Sequence, residues 1–159
     1  MPRYINLYQY MESLLYNIHY YNRYLVLAAL VIVLALSFSG WFGKRSYGKA
    51  DNAAGGALLG FAHLQALVGL IQYFFTSPKV SSALLDMGAA MKDPLLRYFA
   101  VEHITAMLLA VVLIQVGRTM SKKKSSDEAK HKTVAIYTAI AAFIIIISLA
   151  PKGLLLGAG

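Results

Sequence analysis

The chain has 159 residues, of which 58% are hydrophobic and only 14% are charged, and its mean hydropathy is +0.58. This composition is typical of membrane proteins and departs from that of soluble globular domains. Cysteine is absent, which excludes disulfides, thiolate metal sites and iron–sulfur clusters held by this chain. The net charge of +8 is concentrated in loops, where membrane topology accounts for it, so nucleic acid is not an expected partner.

The N-terminal segment, residues 1–18, is rich in tyrosine, a residue that prefers the lipid headgroup region. We expect this segment to lie along the membrane surface or to extend the first helix outward, and docking of a partner protein is the alternative. It lacks the basic start, apolar stretch and cleavage site of a removable signal peptide. The apolar run that follows predicts a first helix over about 19–42.

Three further apolar runs predict helices over about 53–75, 95–118 and 132–150. Each run is close to the roughly 20 residues that an α-helix needs to cross the hydrocarbon core of a bilayer. Their lack of alternation excludes the strands of a membrane barrel. The predicted fold class is therefore all-α, with residues 1–159 forming one transmembrane domain, an integral membrane four-helix bundle.

The loops between the predicted helices differ in charge. The first and third loops carry an excess of lysine and arginine, whereas the second balances its charges. Because positive loops stay on the cytoplasmic side, we expect a multi-pass protein of the cytoplasmic (inner) membrane with both termini outside.

Two histidines lie inside predicted helices. At about 1.5 Å per residue, His63 lies roughly 15 Å from the inner edge of the second helix, and His103 roughly 18 Å from the same edge. The two helices are joined by a short loop, so we expect them to be antiparallel neighbours with both imidazoles at one level. Ionisable residues inside spans usually mark a site, and the alternative is that each histidine forms an interhelical hydrogen bond.

Small residues stack above and below each of these histidines. Helix periodicity places Gly56 and Gly60 on the face of His63, and Ala100 and Ala106 on the face of His103. This pattern leaves room for a flat macrocycle, although small residues also let membrane helices pack closely. Neutral imidazoles are common axial ligands of haem iron, so one haem b held by His63 and His103 is the predicted cofactor. No second pair of level histidines remains, so a second haem is not expected.

Other polar residues are candidates for supporting roles. Arg97 and Arg23 lie near the outer boundary and suit haem propionates, with ordinary interfacial snorkelling as the alternative. Glu102 is the only acid predicted within a span and is either a proton carrier beside a quinol or a neutral acid bonded to another helix. His19 lies at the outer boundary, where it suits a quinone or propionate site, whereas His131 lies at the inner boundary among lysines.

Several short motifs occur in a characteristic order, including "GWFGK", "KADN", "HLQ", "SPKV", "LRYFAVEH" and "AKHKT". Over residues 16 to about 150, the chain resembles small four-helix membrane proteins of Bacteroidota that are usually labelled cytochrome b. The resemblance implies four recurring histidines, at positions 19, 63, 103 and 131.

These observations lead to a functional hypothesis. The chain is expected to be a membrane-bound b-type cytochrome that passes single electrons between a quinol, or a redox partner at the outer face, and a larger respiratory assembly. Whether it is itself an enzyme, such as a quinone-linked oxidoreductase, stays open. The first alternative is a haem-free structural or accessory subunit of a larger membrane complex. The second is a proton or metal-ion pathway, which one intramembrane acid makes less favourable.

Overall fold

The computed structural model describes residues 7–155, and the regular elements within this part of the chain are helical. Four segments are long and apolar enough to cross a membrane. They comprise Leu7–Phe42, Lys49–Thr76, Pro94–Lys122 and Asp127–Lys152. The predicted all-α class and the predicted number of spans are confirmed. The first six residues of the tyrosine-rich segment lie outside the described part of the chain.

The first helix, α1, spans Leu7–Phe42 without interruption, so the described part of the tyrosine-rich segment extends it outward. Its 36 residues correspond to about 54 Å, well beyond a hydrocarbon core of about 30 Å. The helix ends where Lys44 adopts a left-handed conformation with φ of 51°. The amide of Arg45 then donates to the carbonyl of Gly40 at 3.0 Å, which closes the C-terminal turn.

The second helix, α2, spans Lys49–Ile71 and continues as a π-helical turn over Gln72–Thr76. Asp51 caps its start by accepting a 2.8 Å hydrogen bond from the amide of Gly48. The same carboxylate receives two bonds from Arg45, at 2.6 and 2.9 Å. The hydrogen bonds from Arg45 to Asp51 raise the pKa of the arginine and tie the first loop to α2.

Three short helices form the connection to the next span. They are α3 (Pro78–Leu85), α4 (Met87–Ala90) and α5 (Pro94–Arg97). Each of these helices is preceded by a residue whose side chain accepts hydrogen bonds from backbone amides of the first turn. These residues are Ser77 for α3, Asp86 for α4 and Asp93 for α5. Ala83, Ala90 and Ala100 are buried together, so this connection packs onto the start of the third span.

The third span contains a second π-helical turn, Tyr98–Glu102, followed by α6 over His103–Lys122. The last span, α7, covers Asp127–Leu149 and ends in a short 3₁₀ turn, Ala150–Lys152. Ser126 caps α7 by accepting from the amide of Ala129 at 3.2 Å. Acidic residues in the first turn of α7 complement its helix dipole.

The long helices form a four-membered ring in cross-section. Helix α1 packs against α2 and α7, and α6 packs against the same two helices. The predicted contact between the second and third spans is therefore present, while α1 and α6 occupy opposite corners. The core between the helices is built from aliphatic residues of all four, such as Leu30, Leu58, Ile114 and Ala141. We call the end formed by residues 43–48 and 123–126 the basic end.

Candidate functional site

A hydrogen bond between two spans sets the relative depth of His63 and His103. The hydroxyl of Tyr73 donates to the carbonyl of Ala100 at 2.9 Å. His63 precedes Tyr73 by ten residues and His103 follows Ala100 by three, so in this antiparallel pair both lie toward the basic end. Allowing for the length of the tyrosine side chain, His63 lies roughly 6–10 Å closer to the basic end than His103 does, which is more than one helical turn. The predicted common level of these two imidazoles is therefore wrong.

The predicted cofactor face of α2 also points away from the bundle core. Gly60, His63 and Leu67 are exposed along one stripe, and nothing lies within 4 Å of where a β-carbon at Gly60 would be. Gly56 lies instead beside the guanidinium of Arg118 on α6, with 3.4 Å between Nη2 and a β-carbon built there. The small residues of α2 therefore face lipid or accommodate an arginine, and they do not flank a site shared by His63 and His103.

Asn22 and Gln65 determine which face of α2 turns inward. The Asn22 side chain is buried and donates to the carbonyl of Phe61 at 2.9 Å and to Oε1 of Gln65 at 2.8 Å. Gln65 donates in turn to the carbonyl of His19 at 2.9 Å. Because unpaired polar groups in lipid are costly, this pairing orients Gln65 toward α1 and leaves His63, two residues away, on the outside.

His19 lies where α1 meets the inward face of α2. A β-carbon at Gly69 would be 3.1 Å from Cε1 of its imidazole, so the ring packs directly on the helix backbone. The Nδ1 atom of His19 is buried and has no hydrogen-bond partner among residues 7–155. His103 and Arg23 are within electrostatic range of the ring. The structure therefore places His19, and not His63, at the inward face of α2.

The level of His19 agrees with that of His103. The bond from Tyr73 places Ala100 beside the last turn of α2, and His103 lies one turn closer to the basic end, which is the level of Gly69. The two histidines are on diagonally opposite helices, α1 and α6. Both side chains are half-buried.

Tyr98 fixes the tautomer of His103. Tyr98 is almost fully buried, and its hydroxyl donates to the carbonyl of Ser148 on α7 at 3.1 Å. The same oxygen lies 3.3 Å from Nδ1 of His103. A tyrosine hydroxyl has a single proton and a carbonyl can only accept, so both contacts are hydrogen bonds at once only when Nδ1 of His103 donates to Tyr98. The neutral imidazole then carries its free lone pair on Nε2.

The π-helical turn Tyr98–Glu102 comes immediately before His103. Its additional residue shifts the helix face, so that Tyr98 and Ala100 are buried while Glu102 is exposed. π-Helical turns of this kind are rare and often occur at functional sites. Of the two small residues predicted beside His103, Ala100 is buried and Ala106 is half-buried.

The predicted roles of Arg97 and Glu102 do not agree with their positions. Nε of Arg97 pairs with Oε1 of Glu102 at 2.7 Å, and the two side chains are 38% and 44% exposed. Glu102 is therefore not a buried acid, and Arg97 is engaged by it at the surface. Arg23 is half-buried, donates to the Tyr24 hydroxyl at 3.2 Å, and lies over the rings of Tyr20 and Tyr24.

We use the name histidine cluster for His19, Arg23, Tyr98 and His103. It combines two imidazoles and a cation. Within the part of the chain that the structure describes, no three His, Asp or Glu side chains lie close enough to hold a bare metal ion. A haem iron takes four ligands from its porphyrin and needs only one or two from the protein, and histidine is a common choice. The imidazoles of the histidine cluster are thus donors of the kind that a haem iron takes, whereas they lack the ligand set of a bare metal ion.

His131 is the most deeply buried histidine, which sequence reasoning placed at the inner boundary and judged least functional. It is fully buried, and neither ring nitrogen has a hydrogen-bond partner. Its ring lies directly against Gly40 of α1, where a β-carbon would overlap it, and 4.8 Å from the ring of Tyr47. Asp51 and Asp127 are within electrostatic range. The sequence signal was Gly40, the single glycine of α1.

The fold and the apolar helices define an all-α membrane protein whose described core contains the histidine cluster. Comparison with known protein families, with curated proteins and with solved structures finds no match.

Proposed function

We propose that the chain is a membrane-embedded b-type cytochrome whose haem is held by His19 and His103. The observation that carries the proposal is the chain of contacts from Nδ1 of His103 to Tyr98 and from Tyr98 to Ser148, because the tautomer that satisfies both contacts leaves Nε2 with the free lone pair. Metal-ligating histidines commonly donate their other ring nitrogen to such a partner, which fixes the ring orientation.

The environment of the histidine cluster supports the same proposal. His19 offers a buried Nδ1 with no hydrogen-bond partner, as expected of a group whose partner is a bound ligand. Arg23 is within electrostatic range of both imidazoles. A guanidinium in this position suits the carboxylates of a haem, the role predicted for Arg23 and Arg97, of which only Arg23 is kept here.

The function follows from the cofactor and the membrane. A bound b-type haem cycles between ferric and ferrous iron and so carries one electron at a time. The protein's residues would orient the ligands and exclude water. Its partners would be a membrane quinol or an outer-face redox protein on one side and a respiratory assembly on the other. The basic end would face the cytoplasm of an inner membrane by the positive-inside rule. The motifs shared with small cytochrome b proteins of Bacteroidota point the same way.

The second candidate is a haem-free subunit of a larger membrane complex. It is favoured by the direct contact of His131 with Gly40 and by the close packing of His19 on Gly69, since in both places a glycine already accommodates the imidazole. In this case the histidines would stabilise helix contacts, and the exposed aromatic side chains of α1 would meet partner subunits.

Haem content separates the two candidates. The protein is produced in cells with excess haem precursor, purified in mild detergent and assayed for haem as its pyridine complex. The cytochrome proposal predicts one haem per chain, reducible α and β absorption bands, and reduction by a soluble quinol. A colourless preparation with full helical circular dichroism would instead support the haem-free subunit.

A further inference from the structure

A cleft with two lysines opens between α6 and α7 at the basic end. Its volume is about 310 Å³ and its lining includes Lys124 and Lys132, with Met120, Thr133, Ile136 and Tyr137 below them. This size falls at the lower end of ligand pockets, which span about 300–1,000 Å³. None of the lining residues is acidic.

The cleft changes from charged to apolar along the helix axis. Lys132 and Tyr137 are five residues apart on α7, so the tyrosine lies about 7.5 Å further from the basic end. The lysines are therefore at the membrane boundary, while Ile136 and Tyr137 extend toward the hydrocarbon. A ligand that matches this gradient has an anionic head and an apolar body.

The packing of the two helices shapes the lower part of the cleft. Tyr137 lies directly against Gly117 of α6, where a β-carbon would overlap its side chain. This close contact accounts for the position of Tyr137 in the lining of the cleft.

The charges around the cleft leave its two lysines available. Asp127 pairs with Lys130 at 2.8 Å, and Glu128, four residues before Lys132 on α7, does not line the cleft. Lys132 lies 5.4 Å from the ring centre of Trp41 on α1, a contact with an aromatic face that does not neutralise its charge. Lys124 is exposed. An anion in the cleft would thus meet two cations and no competing carboxylate of the lining.

We infer that this cleft binds the headgroup phosphate of an anionic phospholipid, with the acyl chains along Ile136 and Tyr137. Basic pockets between transmembrane helices are suited to such lipids, and each lysine near the surface strengthens the attraction. The inference is independent of the haem proposal, since it involves no residue of the histidine cluster.

Trp41 is the only tryptophan of the chain, which provides a local probe. The protein is reconstituted in vesicles of phosphatidylcholine containing increasing fractions of brominated phosphatidylglycerol, and quenching of Trp41 is compared with that by brominated phosphatidylcholine. We expect preferential binding of the anionic lipid, weakened by about fivefold in Lys124→Gln. Lys132→Gln should have a similar effect after normalisation to its own unquenched fluorescence.

Lys123→Gln is the matched control, because it removes one positive charge from the neighbouring position but does not line the cleft. It should leave the preference for phosphatidylglycerol nearly unchanged. Equal losses in Lys123→Gln and Lys124→Gln would show diffuse attraction to the basic end and overturn the inference. Equal quenching by the two brominated lipids in the unmodified protein would overturn it as well. Inorganic phosphate at millimolar concentration should not displace the brominated lipid; displacement would identify a site for the free anion instead.

Discussion

His19 on α1 and His103 on α6 lie at the same level on diagonally opposite helices of the four-helix ring. Neither helix needs to touch the other for this to occur, since both pack on α2 and α7. The relationship depends on a register fixed by two bonded contacts, from Tyr73 to Ala100 and from Gln65 to His19. It can therefore be tested separately from any cofactor.

Cysteine pairs provide that test, since the chain contains no cysteine of its own. We expect a short bifunctional thiol reagent to crosslink His19→Cys with His103→Cys in detergent. The pair His63→Cys with His103→Cys should react far less, because the side chain at position 63 faces outward and lies more than one turn deeper. Efficient crosslinking of the second pair alone would contradict the observed register. Mass spectrometry of peptides quantifies both products.

Gly40 should be intolerant of a side chain. The substitution Gly40→Ala places a methyl group on the buried ring of His131, and overpacking of this kind lowers the free energy of unfolding by about 1–3 kcal/mol. Thermal unfolding in detergent measures the loss. Gly60→Ala is the matched control within a helix, because nothing lies near its β-carbon. It should be neutral or stabilising by up to about 1 kcal/mol, as alanine favours helix over glycine. Equal destabilisation by both would indicate that His131 does not pack on Gly40.

The Asn22 side chain should contribute measurably to stability. Asn22→Leu removes its bonds to Phe61 and Gln65 and leaves Oε1 of Gln65 without this donor, so we expect a loss of about 1–2 kcal/mol. Asn17→Leu makes the same chemical change at an exposed position of the same helix and should have little effect. Unfolding by denaturant in micelles compares the two variants. An unchanged Asn22→Leu would mean that the pairing does not set the orientation of α2.

The number of spans and their approximate positions could be predicted because hydropathy and helix length report directly on the bilayer. Which side of α2 turns toward the bundle core could not be predicted, because two stripes of residues on this helix are both plausible inward faces. Gly56, Gly60 and His63 form one, while Gln65 belongs to the other and pairs with Asn22. The available signal for the second stripe was the presence of one amide side chain in each of two neighbouring spans, Asn22 in α1 and Gln65 in α2. Depth was misjudged because it was counted from expected helix ends, whereas α2 begins at Lys49 and α6 continues to Lys122.

Tyr98 should affect the haem affinity of the histidine cluster without itself binding the iron. Tyr98→Phe preserves the ring but removes the oxygen that accepts from Nδ1 of His103, so the imidazole can adopt the other tautomer. Loss of such a supporting bond typically reduces metal affinity by about 10- to 100-fold. Haem titration of the purified apoprotein measures the change. Tyr137→Phe is the control, because it makes the same change at a tyrosine that packs on Gly117 outside the histidine cluster, and it should retain near-normal affinity.

The most direct test of the haem proposal is the reduced-minus-oxidised absorption spectrum of three single variants. The account predicts that His63→Ala keeps the sharp α band of a six-coordinate haem, whereas His19→Ala and His103→Ala lose it while retaining full helical content. Retention of the band in His19→Ala together with its loss in His63→Ala would contradict the assignment of the ligands made here.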